Sequence, residues 1–177
     1  MFLRTTDKRP DDEIQKAIEA VVNDAEDLWA PAKFEGWYPL TGFGIEELAP
    51  GHIQAGGTGW GASDYWAISI AASNTWQDWI NITMSDSAYV IDTGLFDREA
   101  TPKLTHVRPN PGGEDFPMKN LEHMFTLDVA RVWWEKPYSV RPDSPFVYRV
   151  KADNTGIERA GILGYTIARR AFLIREL

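Results

Sequence analysis

The chain has 177 residues, no cysteine, 26 Asp and Glu against 18 Lys and Arg, and a formal net charge of −8. That length suits one compact domain with its own core, and the acidic balance leaves no broad basic surface for phosphates, which argues against nucleic acid as a partner. Without cysteine there is no disulfide or thiolate chemistry. His52, His106 and His123 stand far apart with no metal-ligand spacing, so no metal and no cofactor is expected. What is abundant is aromatic: eight Trp, six Tyr and eight Phe, the contact area of a protein that packs and binds.

At the start, Arg4, Asp7, Lys8 and Arg9 stand where a signal peptide needs its apolar stretch. No run approaches the ~18 apolar residues of a membrane span, so synthesis in a cytosol is expected. Ile14, Ala17, Ile18, Val21, Val22, Ala25, Leu28 and Trp29 recur at three-and-four spacing, which predicts a helix over residues 12–29. Asp12 with Gln15 suggests a capping box, acidic residues crowd the positive end of the dipole, and Pro31 forbids continuation. Residues 1–31 are therefore read as an N-terminal helical segment and 32–177 as a β domain.

Beyond Pro31 short β-rich runs alternate with Gly, Pro, Asn and Asp. The expected strands are His52–Ala55, Tyr65–Ala72, Trp76–Thr83, Tyr89–Leu95, Lys103–Val107, Phe125–Trp134, Phe146–Ala152 and Ile162–Ile174. About eight strands fit an all-β single jelly-roll sandwich or barrel. Loops are expected at residues 56–59 and 109–113, where glycines and prolines interrupt any regular strand. Between Pro137 and Pro145, Tyr138-Ser139-Val140-Arg141 reads as a stiff extended segment suited to a sheet edge.

Three functional patterns compete. Val90-Ile91-Asp92-Thr93-Gly94 resembles the aspartic protease signature, and Ile162-Leu163-Gly164 resembles the element that backs its catalytic loop. A single copy implies a homodimer in which two Asp92 carboxyls share a proton. The competing reading makes Asp92 a strand-end residue bonding backbone amides in a turn. Trp37, Trp60, Trp76, Trp79, Trp133 and Trp134 supply the aromatics of a sugar-stacking module, with Trp60 between two glycines the best exposed. Glu46-Glu47 and Glu114-Asp115 offer carboxylates, but spacing nominates no glycosidase pair.

The third pattern is a resemblance. Residues 139–150, Ser-Val-Arg-Pro-Asp-Ser-Pro-Phe-Val-Tyr-Arg-Val, followed by residues 161–171, Gly-Ile-Leu-Gly-Tyr-Thr-Ile-Ala-Arg-Arg-Ala, resemble the closing strands of small single jelly-roll capsid proteins. The family is the smaller major capsid protein of tailless, icosahedral, membrane-containing viruses of bacteria and archaea. Leu40-Thr41-Gly42-Phe43-Gly44, entering the β region after a helix, is similar to that pattern. The resemblance implies a virion structural protein without an active site. It implies assembly with copies of itself and with a second capsid protein, above an internal membrane. Interfaces favour aromatic and Arg anchors, so Trp60, Tyr138, Arg141 and Arg169 are the candidate interface residues. The expectation is thus a capsid subunit located in the virion, with the carbohydrate-binding module and the homodimeric protease using Asp92 as alternatives.

Overall fold

A computed structural model describes residues 5–53, 66–99, 101–111, 118–121, 124–125 and 130–173. Helix α1 (Asp11–Leu28) follows a two-residue strand, β1 (Thr5–Thr6). Then come β2 (Phe43–Glu47), a 3₁₀ turn (Pro50–Ile53), β3 (Ile68–Ile70), β4 (Trp76–Thr83), β5 (Ala88–Asp97), β6 (Leu104–Pro111) and β7 (Lys119–Asn120). The chain closes with β8 (Arg131–Val140), β9 (Pro145–Ala152), β10 (Gly156–Glu158), β11 (Ala160–Arg169) and a short helix, α2 (Arg170–Leu173). The fold is an all-β sandwich with an N-terminal helix, as composition and periodicity predict.

A five-stranded sheet has the order β1-β8-β5-β11-β2, a four-stranded sheet the order β4-β9-β6-β7, and β10 pairs with β3 apart from both. Numbering β2, β4, β5, β6, β7, β8, β9 and β11 as first to eighth, the antiparallel pairs are first with eighth, second with seventh, third with sixth and fourth with fifth. This is one long hairpin rolled so that its pairs fall alternately into two sheets, the jelly-roll arrangement. Strand count alone does not determine that order; the pairing does.

The main core lies between the sheets, where Trp134, Tyr148, Phe146, Ile80 and Val90 are fully buried. A second core lies on the outer face of the five-stranded sheet. There α1 lays Val21 and Ala25, with Trp29 just beyond its end, against Phe43, Ile45, Tyr89, Ile91 and Ile167. β5 is consequently buried on both faces along most of its length, which explains why Ala88–Ile91 is apolar at every position rather than at alternate ones. Among the described residues no helix is long and apolar enough to cross a membrane.

Several local expectations are corrected. α1 starts at Asp11 behind Pro10 without a side-chain cap, because Gln15 bonds Glu19 rather than closing a box with Asp12. His52 and Ile53 belong to the 3₁₀ turn rather than a strand; His52 N–H donates to Ala49 O, and its Nδ1 accepts from Ala49 N–H. Pro109 and Pro111 lie inside β6, opposite Tyr148 and Phe146. Among the described residues β6 has only β9 beside it there, an edge position where a missing N–H costs no ladder bond. By contrast, the extended edge segment expected after Pro137 is present: β8 runs on to Val140, and Tyr138–Val140 pairs with Val90–Asp92 and with no second strand among the described residues. The last expected strand ends at Arg169, after which α2 begins. The loop at residues 56–59 lies outside the described residues.

Candidate functional site

Asp92 projects into the space between the sheets and is 0% exposed. Its Oδ1 accepts from Trp134 Nε1 at 2.7 Å and from Gly94 N at 3.0 Å. Its Oδ2 accepts from Tyr138 at 2.5 Å and from Tyr148, and the two tyrosine oxygens are themselves 2.6 Å apart. With Asp92 in its acid form the three mutually close oxygens can be joined by three protons running around a ring, Asp92 then donating to one tyrosine and accepting from the other. Burial pushes the Asp92 carboxyl from 3.8 up to about 7, against the opposing pull of the Tyr138, Tyr148 and Trp134 donors.

This geometry corrects the expected strand end: Asp-Thr-Gly lies mid-strand in β5, and Asp92 bonds side chains from β8 and β9 as well as one local amide. Ile162-Leu163-Gly164 does adjoin it, with Leu163 opposite Gly94 and Gly164 opposite Asp92. A protease dyad needs two carboxyls facing each other across a dimer axis. Asp92 is enclosed between two sheets and presents no carboxyl at the surface of this chain.

The four candidate interface residues fall in different places. Trp60 lies outside the described residues. Tyr138 turns its hydroxyl inward to Asp92, so that polar end is spent inside the sandwich, while the residue as a whole is half-buried. Arg141 and Arg169 come together at the end of α1, lining a concavity of about 450 Å³ with Leu28, Trp29 and Pro142. Arg141 holds Asp24 through Nε at 3.0 Å and Nη2 at 2.9 Å, and Tyr89 donates to the same carboxylate at 2.6 Å. Arg169 sits 5.4 Å over the Trp29 ring.

Sequence reasoning singled out Trp37 and Leu40 separately but not the turn that joins them, Trp37-Tyr38-Pro39-Leu40, which carries the most exposed large apolar side chain among the described residues. Tyr38 is 83%, Leu40 71% and Trp37 52% exposed. Residues 33–36 run along the outer edge of β2, with Glu35 N–H donating to Phe43 O and Ile45 N–H to Gly36 O. The turn projects from that edge. Glu35 accepts from the Thr41 hydroxyl at 2.7 Å and from the amides of Leu40, Thr41 and Gly42. These donors, the Thr41 hydroxyl foremost, hold the Glu35 carboxyl down at about 2. Tyr38 adopts φ 61°, a left-handed conformation costly for a bulky residue, so the clamp holds a strained turn in one shape. Glu35 six residues before Thr41 was the available signal, but only the folded turn gives it meaning.

Several other carboxylates have structural partners. Buried Glu158 accepts from Lys103 N at 2.7 Å and Lys103 Nζ at 3.1 Å, and Asp97 lies against it. Burial, then the neighbouring Glu158, raises Asp97 to about 7. Asp78 pairs with Arg149. Glu46 lies 3.5 Å from His52, whose burial lowers its imidazole to about 4. Glu114 and Asp115 lie outside the described residues, among which no group of three or more His, Cys, Asp or Glu is placed to hold a metal ion. No family model, curated protein or solved structure matches the chain.

Proposed function

We infer that this chain is a structural subunit of a virus shell, a capsid protein that assembles with copies of itself and with a second capsid protein. One observation carries the reading: a jelly roll that holds Trp37, Tyr38 and Leu40 clamped in solvent at its β2 edge. Jelly rolls serve capsids and also lectins and cupins, so the fold contributes by analogy. The turn supports assembly, because a rigid, exposed aromatic cluster loses little entropy on docking and is suited to anchor a protein contact. Arg141 and Arg169, beside the exposed Leu28, supply a second aliphatic and guanidinium contact of interface composition.

The test is light scattering of the full chain across concentration and salt, with and without the product of the neighbouring gene. Assembly beyond the monomer is expected, and the triple replacement Trp37→Ser, Tyr38→Ser, Leu40→Ser should reduce it while leaving the thermal midpoint within a few degrees, as about expected for exposed positions. A strict monomer under all conditions would overturn the reading.

A further inference from the structure

We propose that the outer face of the five-stranded sheet, beside α1, binds a small hydroxylated anion of the size of a single sugar acid or sugar phosphate. A concavity of about 360 Å³ opens there, lined by Arg9, Arg131, Trp133, Tyr165, Glu47 and Thr93 among others. The volume falls at the small end of ligand sites, of about 300–1,000 Å³.

The chemistry of the walls is divided. Arg9 and Arg131 both reach the Trp133 ring, their guanidinium carbons 5.6 and 5.7 Å from its centroid. Arg9 is held in place by Asp11 at 2.8 Å and by donating to the Tyr165 hydroxyl at 2.5 Å, which leaves further N–H donors of its fork unspent. Arg131 has no carboxylate partner among the described residues. Two guanidiniums converging on one aromatic, with an open donor set, select an oxyanion.

The other wall selects hydroxyls. Glu47, opposite Tyr165 in the β2–β11 register, has no cationic partner among the described residues and presents an acceptor. Thr93 also lines the concavity, and its Oγ1 is buried without a hydrogen-bond partner. A simple anion answers only the arginines; an anion carrying hydroxyls answers both walls.

This proposal is independent of the assembly reading, and calorimetric titration of the full chain at low salt tests it with four probes: glucuronate, glucose 6-phosphate, inorganic phosphate and glucose. Either or both of the first two should bind and show which anion is preferred, glucose should not, and inorganic phosphate should bind more weakly. Arg131→Gln should weaken the sugar anions by about tenfold, the scale of a charge-assisted hydrogen bond. Glu47→Gln removes both an acceptor and a negative charge from the wall, so it should tighten inorganic phosphate and shrink the advantage of the sugar anions over it. Because Arg131 and Glu47 are exposed, both variants should keep the parent thermal midpoint. No heat from either sugar anion at about 10 mM, an affinity indifferent to Arg131→Gln, or phosphate binding as tightly as the sugar anions would overturn the assignment.

Discussion

Replacing Asp92 by Asn isolates the chemistry of the buried ring. In the folded chain the carboxyl holds its proton up to about pH 7, whereas its ordinary value is 3.8. Between those values the native state binds a proton that the unfolded chain has released, so stability falls as pH rises, and the loss is complete above the folded value. The difference corresponds to about 4 kcal/mol in total, accrued at about 1.4 kcal/mol per pH unit. Asn carries no titrating proton, and its amide keeps an acceptor for Trp134 Nε1 and Gly94 N while offering N–H to the tyrosines. The measurement is urea unfolding of parent and Asp92→Asn at several pH values from about 5 to about 8, followed by tryptophan fluorescence. The parent's advantage should shrink by about 1.4 kcal/mol for each pH unit up to about 6.5 and then level off. His52 acts in the opposite direction, its depressed value making stability rise with pH between about 4 and 6.5, but it is common to both proteins and cancels in the difference. A parent-minus-variant difference independent of pH would mean that the four donors keep Asp92 ionised throughout, and the proton-ring account would be wrong.

Gly94→Ala should be among the most damaging single-methyl additions. A Cβ there would lie 2.1 Å from Val132 O, and backbone on a paired strand cannot step aside, so a loss of about 3 kcal/mol or more is expected in chemical denaturation; a loss under about 1 kcal/mol would refute the close approach of β5 and β8. Glu35→Ala should leave the global midpoint nearly unchanged but speed hydrogen exchange at the Leu40, Thr41 and Gly42 amides by at least about tenfold, because it opens the turn and not the core. Unchanged exchange would show that the turn does not depend on its clamp.

Elements whose local pattern agreed with their tertiary setting were legible in advance. The spacing of Ile14, Val21 and Ala25 places α1 because the helix uses that face against the sheet. Trp76–Thr83 is matched to the residue because β4 is solvated on one face and packed on the other. Where tertiary context overrode local preference, the reading failed. Prolines 109 and 111 suggest a loop, yet an unpaired edge accommodates them inside β6. Tyr138 suggests a surface anchor beside Pro137, yet β8 carries it to the one buried carboxyl able to use its hydroxyl. The exposed turn was not legible as a unit for the converse reason: apolar residues in a row suggest burial, and Glu35 and the β2 edge keep Trp37, Tyr38 and Leu40 outside.

Asp92-Thr93-Gly94 illustrates why a motif acquires chemistry only from its face and its neighbours. β5 is flanked by β8 and β11, and both registers slip at this point, between Asp92 and Gly94 against β8 and between Leu163 and Gly164 against β11. A slip on both sides brings backbones unusually close. Small residues answer that demand: a Cβ at Gly94 would meet Val132 O, and one at Gly164 would meet Ile91 O at 2.2 Å. Thr93 lines the outer concavity, while its neighbour Asp92 points inward to receive Trp134, Tyr138 and Tyr148. Without a hydrogen-bonding group there, Trp134 Nε1 and the hydroxyls of Tyr138 and Tyr148 would each lose a buried partner, at about 1–3 kcal/mol apiece. The same three residues that elsewhere make a proton-sharing catalytic loop are here accounted for one at a time, by a carboxyl that ties two sheets together, a threonine that lines a surface cavity and a glycine that lets strands touch.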